Sequence, residues 1–381
     1  MIRINDKKKC MGCSACSQIC PKDCIAMEMD AEGFVYPKVD IEKCIECNQC
    51  EKICPVSNHP DYTDDVLAAY AGYSWNIEER MQSSSGGLFS LAANEILNEK
   101  GIVFGATLDD NHVCRHVAVK KHEDLYKLRG SKYVQSIIGN SYREIEDYLK
   151  KGKRVLFSGT ACQCAGLKAF LGKDYEKLLI IDVLCHGVPS PKVFKKYLQN
   201  MEVLHDASVT KINFRSKTYS WKDYAVKLIF DNSSEYEIKS RDDEFMQLFL
   251  SDICLRPSCH ECQFKKLERP SDITLGDAWG IQRTMPEVDD DRGTSVIIIH
   301  TQRGMKVFDS IKEKLFFKEM DVDTLVSPYA DSRKSVTPHP NRKKFFKRLN
   351  KSMGWKELYK AKNMTIFDRV RYKIYRTLNS K

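Results

Sequence analysis

Between residues 10 and 55 one cysteine string occurs twice. Cys10, Cys13, Cys16 and Cys20, followed by Pro21, read C-x2-C-x2-C-x3-C-P; Cys44, Cys47, Cys50 and Cys54, followed by Pro55, repeat it without an insertion. This is the bacterial run for two cubane iron–sulfur clusters. Three cysteines at i, i+3 and i+6 can wrap one face of a cluster from a single loop. The fourth, just before the proline, starts a turn that points across the module and ligates the other cluster. Cys10, Cys13, Cys16 and Cys54 are therefore expected to hold one [4Fe–4S] cluster, and Cys44, Cys47, Cys50 and Cys20 the second. A zinc site uses two cysteine pairs separated by a longer gap, not a tight run of four. A chain built on this module moves electrons one at a time.

Sixteen cysteines in 381 residues are many for a protein without metal, and nine of them fall between residues 10 and 54. Metal ligation explains that excess better than disulfides do. Met1 to Lys9 has no apolar stretch of the kind a signal peptide needs, and no run approaches 18 apolar residues. A cytoplasmic protein, where thiols stay reduced, is the expectation. The net charge of +9 is not spread evenly. Residues 341–381 hold 14 Lys and Arg against two acids, Glu357 and Asp368, while the remainder carries 47 basic and 50 acidic residues. The body is near neutral, which excludes a globally basic nucleic-acid binder.

The cysteine unit is the one clear internal repeat, and each half reads as a short hairpin plus a helical turn, too small to fold without its cluster. Cys24 has no counterpart in the second half and reads as core. Residues 57–65 are a polar linker. Strand and helix then alternate. Val66–Tyr73, Ile102–Thr107, Arg154–Phe157 and Leu178–Leu184 read as strands. Gly86–Asn98, Ser141–Lys150, Ala161–Leu171 and a segment from Pro191 read as helices. Hairpin-like strands at Tyr224–Phe230 and Glu235–Ser240, a helix at Asp242–Ser251 and a buried strand at Ser295–His300 follow. The expected fold is an α+β ferredoxin-like two-cluster module, then an α/β domain with a largely parallel sheet and a mixed β-rich extension. The expected organisation is a two-cluster domain over 1–58 and a linker over 59–65. The two parts of a cofactor-binding region cover 66–150 and 151–330, and a basic amphipathic tail covers 331–381.

A second cysteine set is scattered. Cys162 lies just past one predicted strand and Cys185 at the end of the next, the edge where open α/β sheets bind ligands. Cys259 and Cys262 form a chelating C-x2-C pair. Together they suit a third [4Fe–4S] cluster; a four-thiolate zinc site and unrelated core thiols remain open, as does replacement of Cys162 by Cys164 or, less readily, by Cys254. Cys114 reads as core. Ser83-Ser84-Ser85-Gly86-Gly87 opens a helix and suits a pyrophosphate, or is an ordinary serine cap. Ser158-Gly159-Thr160 is a second turn of that kind, and Gly276-Asp277-Ala278-Trp279-Gly280 a third wall of the same cleft. No G-x-G-x-x-G follows a strand, so an ordinary nicotinamide fold is not indicated. Single-electron clusters need a partner able to exchange two electrons, and a flavin is the usual converter. That argument rests on chemical need and not on a flavin motif.

Five segments in order, SSSGG (83–87), RGSKYVQS (129–136), FSGTACQCAGLKAFLG (157–172), VLCHGVPSP (183–191) and SDITLGDAWG (271–280), resemble the beta subunit of coenzyme F420 hydrogenase/dehydrogenase. The resemblance spans about residues 1–330, and an N-terminal ferredoxin module is common among those relatives. It implies an FAD-containing iron–sulfur reductase whose FAD lies beside a cluster held by Cys162, Cys185, Cys259 and Cys262. It also implies that Ser84, Ser85, Gly86, Gly87, Lys132, Tyr133, Gly159 and Thr160 approach the FAD. The family usually has proline where this chain has Ala161, so the turn before Cys162 is freer here. The family also occurs in organisms without the deazaflavin coenzyme, so the substrate is not fixed by it.

Acid–base candidates are few. His186 is placed to relay a proton or to bond a cluster sulfur, or is simply satisfied by backbone groups. Lys132 is placed to bind a flavin phosphate or to steady a reduced ring, or is a solvated lysine. Asp277 suits a ribose contact or a turn cap. The expected function is electron transfer between ferredoxin-type clusters and FAD, and from FAD to an organic acceptor, either the deazaflavin coenzyme or another small molecule. The rivals are a non-catalytic electron-transfer subunit of a larger complex and an iron–sulfur sensor or scaffold without flavin. Expected partners are a ferredoxin or a hydrogenase/dehydrogenase-type subunit and a small-molecule acceptor. In the tail, Phe367, Val370, Ile374 and Leu378 share one helical face among basic residues. That helix either packs on the body or makes weak contact with an anionic membrane surface or acidic protein.

Overall fold

The computed structural model of the chain describes residues 1–59, 62, 66–326, 333–365 and 372. β1 (Ile25–Met29) and β2 (Val35–Val39) form an antiparallel hairpin between the two cysteine strings. Then come β3 (Ala68–Ser74), β4 (Ile102–Leu108), β5 (Cys114–Val119), β6 (Val155–Thr160) and β7 (Leu178–Val183). β8 (Val209–Ser216), β9 (Ala225–Phe230) and β10 (Glu235–Lys239) make a separate antiparallel meander. β11 (Ile273–Asp277), β12 (Ser295–Ile299) and β13 (Leu315–Glu319) return to the large sheet, whose order is β13-β3-β12-β11-β7-β6-β4-β5.

The parallel part of that sheet is its centre. β4, β6, β7 and β11 run the same way. β6 reaches β7 through the helix Ala161–Leu171, the crossover that parallel neighbours require. The flanks are antiparallel: β5 folds back on β4, and β12, β3 and β13 alternate beyond β11. The stretch from Asp277 to Ser295 makes only short turns and returns on the same sheet edge, so β12 must run back against β11. The central strands are apolar runs buried on both faces, as in Val155-Leu156-Phe157 and Leu178-Leu179-Ile180-Ile181. Four strand ends therefore open on one edge, at Gly105-Ala106, Ser158-Gly159-Thr160, Val183-Leu184 and Gly276-Asp277.

In the N-terminal module the two strings repeat their backbone as well as their spacing. Gly12 and Ser14 have positive φ (72° and 63°), and so do Glu46 and Asn48 (53° and 57°). A short helix follows in each half, Ala15–Gln18 and Gln49–Lys52. Among the described residues one hairpin serves both halves, where the sequence suggests one for each.

The module is seated in the body. A side chain on Gly166 would meet Cys13 Cβ at 2.7 Å, so the bare helix surface is what lets the first cysteine loop approach. Gln18 Oε1 accepts from the amides of Tyr142 and Arg143, and Arg143 donates back to the Gln18 carbonyl. Met11, Cys13 and Ala15 share a core with Phe157 and Phe170. Phe34 and Tyr36 share another with Phe194, Phe245 and Phe249.

That second core also takes in the far end of the chain. Phe345, Phe346 and Leu349 of the helix Arg342–Asn350 belong to it, with Trp355 and Leu358. Burying each phenylalanine stabilises by roughly 1.5–3 kcal/mol. Arg342 grips Glu32 with both terminal nitrogens, at 3.0 and 2.6 Å. The change of composition at Pro340 thus coincides with no break in packing. The expected amphipathic helix on Phe367, Val370, Ile374 and Leu378 lies outside the described residues, as does most of the linker after residue 59.

Candidate functional site

Four cavities lie in series. The first is lined by Cys20, Cys44, Cys47 and Cys50, and by Cys24. The second is lined by Cys10, Cys13, Cys16 and Cys54. Cys16 lies within charge range of Cys10 and Cys54 and also of Cys50, which joins the two cavities. Each cavity takes three cysteines from one string and the fourth from the other. Cys24, expected as plain core, has its sulfur 3.4 Å from that of Cys20.

The third cavity is lined by Cys162, Cys185, Cys259 and Cys262, scattered along the chain. It shares Met11 and Val56 with the second cavity. Burial, then the neighbouring thiols Cys262, Cys185 and Cys259, push the Cys162 thiol well up. A bound metal centre would hold the four as thiolates. Among the described residues no three His, Cys, Asp or Glu side chains converge closely enough to hold a single metal ion. The four sulfurs border a space instead, which suits a polynuclear centre. Cys164 is fully buried in the core behind the cavity wall, Cys254 lies in another core, and Cys114 in the same one as Cys254. None of them lines the third cavity.

The fourth cavity, of about 520 Å³, opens at the carboxyl ends of the central strands. It shares Thr160, Gln163, Cys185, Gly187 and Val188 with the third. Ser84, Ser85, Gly87, Lys132, Tyr133, Gly159, Thr160, His186 and Asp277 all line it. Gly86 lies behind the wall. Its amide donates to Ser295 Oγ, and a Cβ there would meet the Gly72 carbonyl at 2.5 Å, so glycine is needed for the loop to lie against β3.

The helix Leu88–Asn98 starts at this cavity with Gly87 as its N-cap and no side-chain cap. The serines before it are committed elsewhere. Ser83 Oγ donates to the Glu79 carbonyl, Ser85 Oγ to that of Thr294, and Ser84 Oγ pairs with Ser131. Leu88 and Phe89 line the cavity, and no side chain caps the first-turn amides of their helix, the condition for an anion site.

Lys132 is held rather than solvated. Its ammonium donates to the carbonyls of Arg129 (2.7 Å) and Lys127 (3.1 Å), and burial pushes its pKa down to about 8. His186 Nε2 meets Asp252 Oδ1 at 2.7 Å, and its ring stands edge-on to Phe249. One partner of the imidazole is thus a carboxylate, which the sequence did not reveal. Thr160 Oγ1 lies 3.1 Å from the Cys162 sulfur, and its amide donates to Gln163.

Arg215 was not legible as a site residue. It lies at the end of β8 and reaches into the cavity wall, with Asp277 at 3.0 and 3.1 Å, the Ser84 carbonyl at 3.2 Å and the Tyr133 hydroxyl at 3.3 Å. Three residues that sequence reasoning singled out are thus tied together by one it passed over. Trp221 Nε1 also donates to Asp277, whose carboxylate is thereby occupied from inside the protein. Trp221 stacks on Trp279 at 4.7 Å. An arginine closing a half-apolar strand is the only local sign of Arg215.

Residues 152–324 match the family model for the C terminus of the coenzyme F420 hydrogenase/dehydrogenase beta subunit. Residues 9–58 match the 4Fe-4S dicluster domain. No curated protein matches the chain. Among solved structures, a chain of the F420-reducing [NiFe] hydrogenase complex from Methanosarcina barkeri is similar at 18% identity, over 76% of this chain and 94% of that one, with a TM-score of 0.49.

Proposed function

Given a chain whose residues 152–324 belong to the coenzyme F420 hydrogenase/dehydrogenase beta subunit family and whose residues 9–58 are a 4Fe-4S dicluster domain, we propose an FAD- and iron–sulfur-dependent oxidoreductase. The observation that carries this reading is the series of cavities: two ringed by the paired cysteine strings, a third ringed by four scattered cysteines, and a large one sharing a wall with the third. When bound, clusters in the first three would supply one-electron transfer, and a flavin in the fourth would supply two-electron exchange with an organic acceptor.

The chain's own residues fit those groups. Cys20, Cys44, Cys47 and Cys50, then Cys10, Cys13, Cys16 and Cys54, then Cys162, Cys185, Cys259 and Cys262 would hold the three clusters. The uncapped helix start at Gly87 would take the pyrophosphate, with Lys132 adding positive charge. Tyr133, Gly159 and Thr160 would border the flavin. Arg215 holds Asp277 and the Ser84 carbonyl in place. His186, kept in orientation by the contact of Nε2 with Asp252, would hold or pass a proton at its other ring nitrogen, Nδ1. The acceptor is the deazaflavin coenzyme or another small organic molecule.

A redox protein partner would meet the first cavity, where Cys47 is exposed and Ile41 and Ile45 present apolar surface beside it. Residues 1–58 would act as its relay, and 66–330 as the flavin-bearing body. Among the described residues no helix is long and apolar enough to cross a membrane.

Anaerobic reconstitution followed by cofactor extraction tests the reading. It requires about twelve irons per chain, three cubanes of four, and one FAD. About eight irons with one zinc, or a colourless extract, overturns it.

A further inference from the structure

Arg256 is 1% exposed, and among the described residues no carboxylate pairs with it. Its partners are the Cys10 sulfur and three neutral acceptors. Nε donates to the Cys10 carbonyl at 2.9 Å, Nη1 to Gln135 Oε1 at 2.9 Å, and Nη2 to the Val35 carbonyl at 2.9 Å, with the Cys10 sulfur at 3.7 Å. The ring of Tyr36 lies 4.3 Å from the guanidinium carbon. A guanidinium taken out of water without an anion is strongly unfavourable, so the fold must supply negative charge near it.

The anions this position offers are thiolates on two sides. On one side is Cys10, in the wall of the second cavity. On the other, Arg256 lines the third cavity and lies within charge range of Cys259. The carboxylate in that wall, Glu261, is already engaged by Lys8 and Lys9. The backbone is shaped to admit the guanidinium. Gly12, at φ 72° inside the first string, would with any side chain meet Arg256 Nη1 at 2.9 Å. Gln135, which holds Nη1, donates its own amide to the Met11 carbonyl and so fastens the same loop.

We infer that Arg256 is the shared counter-ion of the second and third cysteine sites, a positioning residue that sets both reduction potentials together; the inference rests on the cluster reading above. A four-thiolate cubane gains negative charge on reduction. A fixed cation beside it favours the reduced form and raises the potential, and low dielectric strengthens the effect. Arg256 is not among the residues that line the first cavity, which is ringed by Cys20, Cys44, Cys47 and Cys50 and serves as the internal control.

The test is an EPR-monitored redox titration of the reconstituted full chain, wild type against R256Q and R256K, with iron counted in each. Wild type must first hold about twelve irons; fewer than that is a failure of the cluster reading, seen before any variant is made. In R256Q with full iron, the second and third sites should each become at least tenfold harder to reduce, a shift of about 59 mV to more negative potential for one electron. The first site should stay put, and R256K should lie near wild type. Unchanged potentials, or a shift confined to one of the two sites, overturns the inference. Should R256Q lose iron, R256K decides. Retention of both clusters by the lysine variant shows that the charge is required and supports the proposal. Loss in R256K as well shows that the fork's hydrogen bonds, not its charge, are what the site needs, and overturns it.

Discussion

The two N-terminal cysteine cavities and the third differ in how they are assembled. The first two draw eight cysteines from 45 residues of chain, with a repeated pair of positive-φ positions in each string. The third draws Cys162 and Cys185 from the ends of adjacent parallel strands and a chelating pair from a turn some 75 residues later. The local sites would depend on metal for their fold, because a hairpin and two short helices bury little apolar surface among themselves and lean on the body for the rest. The third site borrows a rigid frame, the sheet edge, that the body's core already stabilises. Loss of a ligand should therefore cost structure in one region and only a cofactor in the other.

The largest expected effect follows directly. Cys16→Ser should remove one N-terminal cluster and unsettle its neighbour, because Cys16 lies within charge range of Cys50 of the other string as well as of Cys10 and Cys54. Iron analysis and circular dichroism should both fall. Cys259→Ser should remove about four irons while the far-UV spectrum and the N-terminal clusters' EPR signals persist. Equal structural loss in both variants would erase the contrast.

Next in size is Arg215→Met. Removing one partner of a buried ion pair costs about 3 kcal/mol. Because Asp277, Tyr133 and the Ser84 carbonyl all lose the guanidinium, and only the Trp221 indole is left on Asp277, thermal stability and flavin retention should drop together. Gly166→Leu probes the seat between module and body. The new side chain would collide with Cys13, and such overpacking costs roughly 1–3 kcal/mol. Loss of the second cluster before the third on mild heating would place the damage at that seat. If the third goes first, the seat has been misidentified.

The smallest effect is a pH dependence. Lys132 has its pKa lowered to about 8 by burial, so its ammonium is present below that pH and lost above it. Affinity for a phosphate-bearing ligand should then weaken as pH rises through 8. Lys132→Arg, which stays charged, should flatten the profile. A flat wild-type profile would remove Lys132 from the anion site.

Much of the candidate site was legible because its residues announce themselves locally. A helix start rich in serine and glycine, a strand ending in Ser-Gly-Thr and a Cys-His-Gly at the next strand end all sit where open sheets bind ligands. Their detailed roles were not legible. The three serines before Gly87 look like a cap, yet each hydroxyl is drawn away by another partner such as Ser131 or the Thr294 carbonyl. Gly86 reads as a wall residue and instead lets the loop lie on β3. Arg215 and Arg256 carry no motif, because an arginine's meaning lies in which distant groups surround it. The directions of the sheet's flanking strands were not legible for a similar reason. Alternation of strand and helix predicts parallel neighbours, but β12 returns from β11 by short turns and pairs with it antiparallel, and β13, reached through the helix Gln302–Ile311, runs with β12 and so against its neighbour β3.

What the sequence determined by itself is everything encoded at short range. Cysteine spacing set which eight cysteines ring the two local cavities, and hydrophobic period set the helices and the buried strands, because both depend on geometry within a few residues. Only the tertiary structure decided which scattered cysteines share a cavity and that this cavity lies between the N-terminal sites and the large pocket. It also decided that the basic stretch after Pro340 packs Phe345 and Phe346 into the central core. These contacts join residues far apart in the chain, and they follow from how buried surfaces fit together, which no local pattern records.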